Sequence, residues 1–188
     1  YRNKIGSELS DSQCSQIQER KGIHYKNLIR AGKIKVRDGV LRLMKQLSAF
    51  EVDQFIVTTS GRSSLEPFLN TSLRSYLNYF SGFVTYEDVH NHKPFPDAYN
   101  LAVKLSKKSE VNCIAIEDSY IGVEAAKAAN INCLLTLPPW STSTYTISRE
   151  ANACVNCLGN EKNPSKIIYG KELIGNNVDV EYLTSIIN

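Results

Sequence analysis

Asn112–Ala129 reads NCIAIEDSYIGVEAAKAA, and its two halves follow different periods. Cys113, Ile114, Ala115 and Ile116 form a continuous apolar run, the pattern of a strand buried on both faces of a parallel sheet. Glu117 and Asp118 follow at the strand's C-terminal end. Ser119 is placed to cap the helix that starts next, with Val123, Ala126 and Asn130 along one face. In open α/β sheets, ligands bind outside the carboxyl ends of the strands. Two adjacent carboxylates there suit a hard cation such as Mg²⁺. An acidic pair equally suits the first turn of a helix, through its dipole. On this stretch alone both readings stand.

A chain of 188 residues, 42% of them hydrophobic, has room for one domain, or one domain with a small appendage. The formal net charge of +3 and the absence of a long Lys/Arg block argue against a nucleic-acid partner. No apolar run is long enough to span a bilayer, so no membrane partner is expected. No signal peptide is visible at the start. Five cysteines are an odd number, which fits reduced thiols in a cytosol-like compartment. The expected location is the cytoplasm, or the plastid stroma in a photosynthetic eukaryote. Residue 1 is Tyr, and the chain is expected to be a fragment, a processed product or a trimmed form.

Tyr1–Lys33 is polar and carries no strand pattern. Ser10-Asp11-Ser12 starts a helix toward Lys21, Gly22 breaks it, and Ile23–Arg30 forms a second helix that Gly32 ends. This region reads as a separate small module. Val36–Phe50 holds an amphipathic helix, with Val40, Leu43, Met44 and Leu47 at helical spacing. Phe55-Ile56-Val57 is a strand that runs into Thr58, Thr59 and Ser60. Gly61 turns the chain, Ser63 or Ser64 caps the next helix, and Pro67 falls in its first turn. Hydroxyls and free amides at such a strand-to-helix turn suit a phosphate, and they also suit ordinary turn chemistry.

Leu73–Phe80 reads as a helix and Gly82–Thr85 as a strand. The loop Tyr86–Asp97 carries His90, His92 and Lys93-Pro94-Phe95-Pro96-Asp97. Two prolines hold Lys93 on an extended segment, and Asp97 caps the helix that follows. A metal site at His90 and His92 lacks further ligands at the right spacing. Asn132–Leu137 is a buried strand, Pro138-Pro139-Trp140 ends it, and Ser141–Thr146 is a polar loop. Ala153–Leu158 is the last strand. Its Cys154 and Cys157 form a C-x-x-C whose sulfurs alternation sends to opposite faces, so both read as packing residues. Asp179–Ile187 is a capped C-terminal helix.

Thr58, Lys93, and Glu117 with Asp118 all lie at strand ends. A hydroxyl, a fixed ammonium and carboxylates able to hold a divalent cation can grip a phosphoryl group and neutralise its charge during transfer.

At this point the chain resembles the haloacid dehalogenase-like superfamily of phosphohydrolases, over Val36 to about Gly159. Thr58 in IVTTS resembles that family's second motif, Lys93 in HKPFPDAY its third, and Glu117 and Asp118 in AIEDSYIGVEAAKAA its fourth. Within the superfamily the chain looks most like the phosphoglycolate phosphatase and β-phosphoglucomutase group. KVRDGVLRL, the TTS turn and ACVNCLG make it similar to the CbbY-like branch, with Asp38 where that branch usually has Pro.

The resemblance implies a doubly wound, mostly parallel Rossmann-like α/β core over residues 34–188. Residues 1–33 would be the C-terminal part of a helical cap. It implies a Mg²⁺-dependent phosphatase of a small phosphorylated sugar that works through an aspartyl phosphate. Thr58 and Lys93 would act in catalysis, Thr58, Thr59 and Lys93 would bind phosphate, and Asp118 and Glu117 would hold the metal. The family's D-x-D-G-T motif, which carries the nucleophile and the acid/base on the central strand, is absent. The chain is therefore expected to lack that strand and to be inactive alone. Two alternatives use the same residues: a degenerate relative that binds phosphate ligands or partners, and a phosphoglucomutase-type enzyme. A signalling receiver domain is disfavoured, because there the acidic residues precede the Thr and Lys.

Overall fold

A computed structural model describes residues 10–141 and 149–188. Contacts divide the chain into two units. One joins the residues up to Lys35 with Arg62–Ser75, and the other joins Val36–Gly61 with Tyr76–Asn188.

In the first unit, α1 (Asp11–Arg30) packs against α3 (Arg62–Thr71). α1 is one continuous helix, where the sequence reading broke it at Gly22. Glycine in a helix costs about 1 kcal/mol relative to alanine. Against that stands a full capping box: Gln13 N–H donates to the Ser10 hydroxyl and Ser10 N–H to the Gln13 side chain. α3 begins at Arg62, so Ser63 and Ser64 lie inside its first turn rather than capping it, and Pro67 sits one turn further in than expected.

The described residues of the second unit form six strands in two sheets. β1 (Phe55–Val57) pairs in parallel with β2 (Gly82–Val84). β3 (Ile114–Glu117), β4 (Asn132–Thr136) and β5 (Ala153–Val155) form a parallel ladder, with Glu117 opposite Leu135 and Leu135 opposite Cys154. β6 (Ile167–Tyr169), which the sequence reading left as loop, pairs antiparallel to β5. The predicted single sheet is therefore two, since β1 and β3 share no ladder. The mixed α/β class and the mostly parallel pairing stand as expected.

Both faces of the larger sheet are covered, as the continuous apolar runs of β3 and β4 predict. Alternation divides their side chains. Ala115, Cys133, Leu135 and Cys154 pack with Tyr99 of α4 (Asp97–Ser106) and with Val123, Ala125 and Ala126 of α5 (Tyr120–Ala128). Ile114, Ile116, Leu134, Ala153 and Val155 pack with Leu43 of α2 (Val40–Ala49) and with Tyr182, Leu183 and Ile186 of α6 (Val180–Ile187). α4 also lies on the smaller sheet, through Ala98 and Ala102 beside Val84.

Local chemistry fixes the ends of these helices. Ser119 and Asp179 cap α5 and α6 as expected, accepting from Gly122 N–H and Tyr182 N–H. Asp97 does not cap α4. It is the first helical residue, after Pro96, and its carboxylate accepts from the Asn91 side chain. Arg42 of α2 donates to the carbonyls of Leu158, Gly159 and Val178, holding the turn after β5 to the start of α6. Cys154 is buried, whereas Cys157 lies past the strand end near the Asn163 and Pro164 carbonyls. From residue 142 onward, the loop expected at Ser141–Thr146 falls outside the described residues. Among the described residues no helix is long and apolar enough to cross a membrane.

Burial pushes the Cys133 thiol up to about 12, with the Glu117 carboxylate adding to the effect, and the Cys154 thiol up to about 11. Unfolded thiols titrate near roughly 8.5. Above that pH the unfolded chain releases protons that the folded chain retains, so stability must fall as pH rises toward these folded values. Urea-unfolding midpoints should therefore drop between about pH 8.5 and 11 in the wild type. They should drop less steeply in Cys133→Ala/Cys154→Ala, and equal slopes would contradict the assignment.

Candidate active site

The C-terminal ends of β1 and β3 are joined by one side chain. At the end of β1, Thr58 N–H continues the ladder to the Val84 carbonyl at 2.9 Å. The Thr58 hydroxyl accepts from Ser60 N–H at 3.0 Å, which leaves its own O–H to donate elsewhere. Thr59 and Ser60 are exposed. After β2, Asp88 accepts from both the amide and the hydroxyl of buried Thr85, at 2.8 and 2.7 Å. A turn closed by Phe95 N–H on the His92 carbonyl then delivers Lys93 to the start of α4. The His92 ring stacks on Tyr86 with centroids 3.8 Å apart.

Lys93 runs inward until only 7% of its side chain is exposed. Its ammonium donates to the Val57 carbonyl at 3.1 Å and to Glu117. It also sits 4.6 Å from the centre of the Tyr99 ring and 3.4 Å from the Tyr99 oxygen. Glu117 is equally buried, and its Oε1 accepts from both Lys93 and the Tyr99 hydroxyl. The Glu117 carboxylate lies against Gly122, so that a Cβ there would overlap it. Burial pushes the Tyr99 phenol well above its ordinary range, and the Glu117 carboxylate adds to the shift, so the phenol stays a neutral donor.

Two buried charges cost several kcal/mol each in lost hydration, which their attraction offsets only when added hydrogen bonds complete both shells. Val57, Tyr99 and the ion pair itself supply those bonds. Asp118, one residue on, is exposed. Among the described residues no three His, Cys, Asp or Glu side chains cluster as metal ligands could. Mg²⁺ takes one or two protein carboxylates and keeps several waters. Exposed Asp118 fits such a ligand, whereas Glu117 is committed to Lys93 and Tyr99.

Of the residues singled out in the sequence, Lys93 and Glu117 are in direct contact. Thr58 follows the carbonyl that Lys93 holds, and Asp118 follows the carboxylate. Tyr99 and Gly122 were missed. Tyr99 reads as one more apolar residue of α4, although a buried tyrosine usually needs a partner for its hydroxyl. Gly122 stands in the first turn of a helix, where only a close neighbour makes a glycine worth its cost.

The Haloacid dehalogenase-like hydrolase family matches residues 3–136. The chain belongs to that family. A CBBY-like protein of Arabidopsis thaliana is 28% identical over 174 residues, covering 85% of this chain and 52% of the relative. CbbY from Rhodobacter sphaeroides, solved in complex with xylulose-(1,5)bisphosphate, superposes with a TM-score of 0.68 at 21% identity, over 80% of this chain and 66% of that one. A family IA, variant 3 hydrolase from Entamoeba histolytica superposes with a TM-score of 0.75 at 19% identity, over 99% and 76%. At those identities the two structures establish the fold. The chain spans less than two thirds of the length of the curated relatives named first among its matches.

The close approach of Gly122 to Glu117 makes a direct prediction. Gly122→Ala should lose about 1–3 kcal/mol of stability through overpacking, although alanine is the better helix former. Urea unfolding of the two proteins side by side measures it, and a stabilised variant would show that the carboxylate does not occupy this position.

Proposed function

We propose that this chain carries the phosphate-gripping part of a Mg²⁺-dependent phosphohydrolase that acts on a small phosphorylated sugar. The observation that supports it most is the buried Lys93–Glu117 pair between the ends of β1 and β3. A charge held there without solvent is worth far more to a developing phosphoryl charge than the same charge in water. Lys93 neutralises the phosphoryl oxygens, the Thr58 hydroxyl donates to one of them, and exposed Thr59 adds to the grip. Asp118 offers a carboxylate to the cation, which when bound supplies charge neutralisation at the phosphoryl group. Glu117 holds the Lys93 ammonium in place. The substrate class draws on the CbbY relative, whose structure holds xylulose-(1,5)bisphosphate.

The nucleophile in this reading is the first Asp of a D-x-D-G-T segment, which the 188 residues do not contain. The strand pairing supports this, because among the described residues β1 pairs only with β2 and β3 only with β4. Among those residues each of the two strands has one edge without a partner strand, and a strand between them would satisfy both. Its C-terminal end would then emerge beside Thr58, Lys93 and Asp118; the attacking carboxylate would displace the sugar oxygen, which the segment's second Asp would protonate to the alcohol, and the resulting aspartyl phosphate would be hydrolysed by water to free carboxylate and inorganic phosphate.

Phosphate release from sugar phosphates tests the proposal. With Mg²⁺, an N-terminally extended protein carrying such a segment should turn over, and the 188-residue chain should not. Lys93→Ala should cost about 10²-fold or more in kcat, and by leaving buried Glu117 without its counter-charge it should also lower stability, which urea unfolding measures alongside. Asp118→Asn should weaken both Mg²⁺ binding and turnover. Robust turnover by the 188-residue chain, or wild-type kcat in Lys93→Ala, would overturn the reading.

A further inference from the structure

Three groups fix the Lys93 ammonium: the Val57 carbonyl, the Glu117 carboxylate, and Tyr99. The first two belong to strands. Tyr99 belongs to α4, six residues beyond Lys93 itself, and touches both Lys93 and Glu117. Its hydroxyl donates to the same Glu117 oxygen that Lys93 contacts. Its ring lies beneath the ammonium, within cation–π range. Its oxygen is the third neighbour of Nζ at 3.4 Å, long for a hydrogen bond, and the phenol proton is already committed to Glu117.

An ammonium has three N–H donors. Two have close partners, in Val57 and Glu117. The third has only the long contact to the Tyr99 oxygen and can be turned onto a substrate oxygen with little loss. Tyr99 also stops Glu117 from swinging: one side of the carboxylate is held by the phenol and the other lies against Gly122. A carboxylate free to rotate would drag the ammonium with it and point the spare N–H elsewhere.

We infer that Tyr99 is a positioning residue of this site: by holding the Glu117 carboxylate and supporting the ammonium from below, it aims the spare N–H of Lys93 at the phosphoryl group. The inference rests on the phosphohydrolase reading above, but its geometric half can be measured without turnover. Tyr99→Phe keeps the ring and removes only the O–H, so packing in α4 is preserved. Tyr99→Leu removes the ring as well.

Two readouts test it. In the 188-residue chain, ¹⁵N-lysine NMR follows solvent exchange of the Lys93 ammonium protons, which should be about tenfold faster in Tyr99→Phe, because a charge-assisted bond in the cluster is lost. In the N-terminally extended protein with Mg²⁺, Tyr99→Phe should lower kcat about three- to tenfold while KM stays within about twofold, the pattern of a contact that matters most in the transition state. Tyr99→Leu should lower kcat further. Ammonium exchange in Tyr99→Phe equal to wild type would overturn the inference whatever the kinetics, and so would an unchanged kcat. If the wild-type extended protein releases no phosphate, the phosphohydrolase reading fails separately. Binding of inorganic phosphate then takes the place of kcat: weaker binding in Tyr99→Phe supports the positioning role, and equal binding overturns it.

Discussion

The buried pair of Lys93 and Glu117 is the interaction on which the larger unit turns. Its two sheets share no ladder, and polar contact between β1 and β3 runs through one ammonium, from the Val57 carbonyl to the Glu117 carboxylate. Apolar links between the same sheets are Val57 of β1, which packs against both clusters, and α4, which sets Ala98 and Ala102 on the β1–β2 side and Tyr99 on the β3 side. Lys93 leads directly into α4, so the polar link and the α4 link are parts of one segment. A charge buried at 7% exposure tolerates no loss of partner, which is why loop, helix and strand must agree in register there.

The sidedness of the four-stranded sheet decides what that charge meets. Along β3, Ile114 and Ile116 face α2 and α6, whereas Ala115 faces α4 and α5. Period two then sends Glu117 to the α4–α5 side, where Tyr99 waits. A shift of one residue in the β3–β4 register would bury an isoleucine against the phenol and leave the ammonium without its counter-charge.

The large periodic features were legible in the sequence because each was written in one local period. The runs at Phe55–Val57, Ile114–Ile116 and Asn132–Thr136 are strands, and Ser119 and Asp179 cap helices as their side chains dictate. Features that depend on distant partners were not legible. β6 is three residues long with half-exposed Ile168, and only β5 beside it makes it a strand. Gly22 looked like a helix break, but an intact capping box at Ser10 and packing on α3 outweigh one glycine. Asp97 looked like a cap, but Asn91 from the preceding loop engages its carboxylate. In the site, Thr58, Lys93, Glu117 and Asp118 were visible as chemical types at strand ends. Tyr99 and Gly122 were invisible because their roles are defined by a carboxylate about twenty residues away from one of them and across a helix turn from the other.

The adjacent carboxylates Glu117 and Asp118 admitted two readings from sequence, cation ligands or the start of a helix, and the backbone gives each residue a different fate. Glu117 is the last residue of β3 and still obeys the pleat, so it points into the protein and neutralises Lys93. Asp118 has left the ladder and precedes the Ser119 cap, so it stays in solvent near the positive end of α5. Had the strand ended one residue earlier, Glu117 would have left the pleat and its inward direction would have been lost. Had it run one residue longer, Asp118 would have pointed to the apolar side of α2 and α6 at a prohibitive desolvation cost. The end of the strand therefore separates a charge buried within the site from one held at the surface.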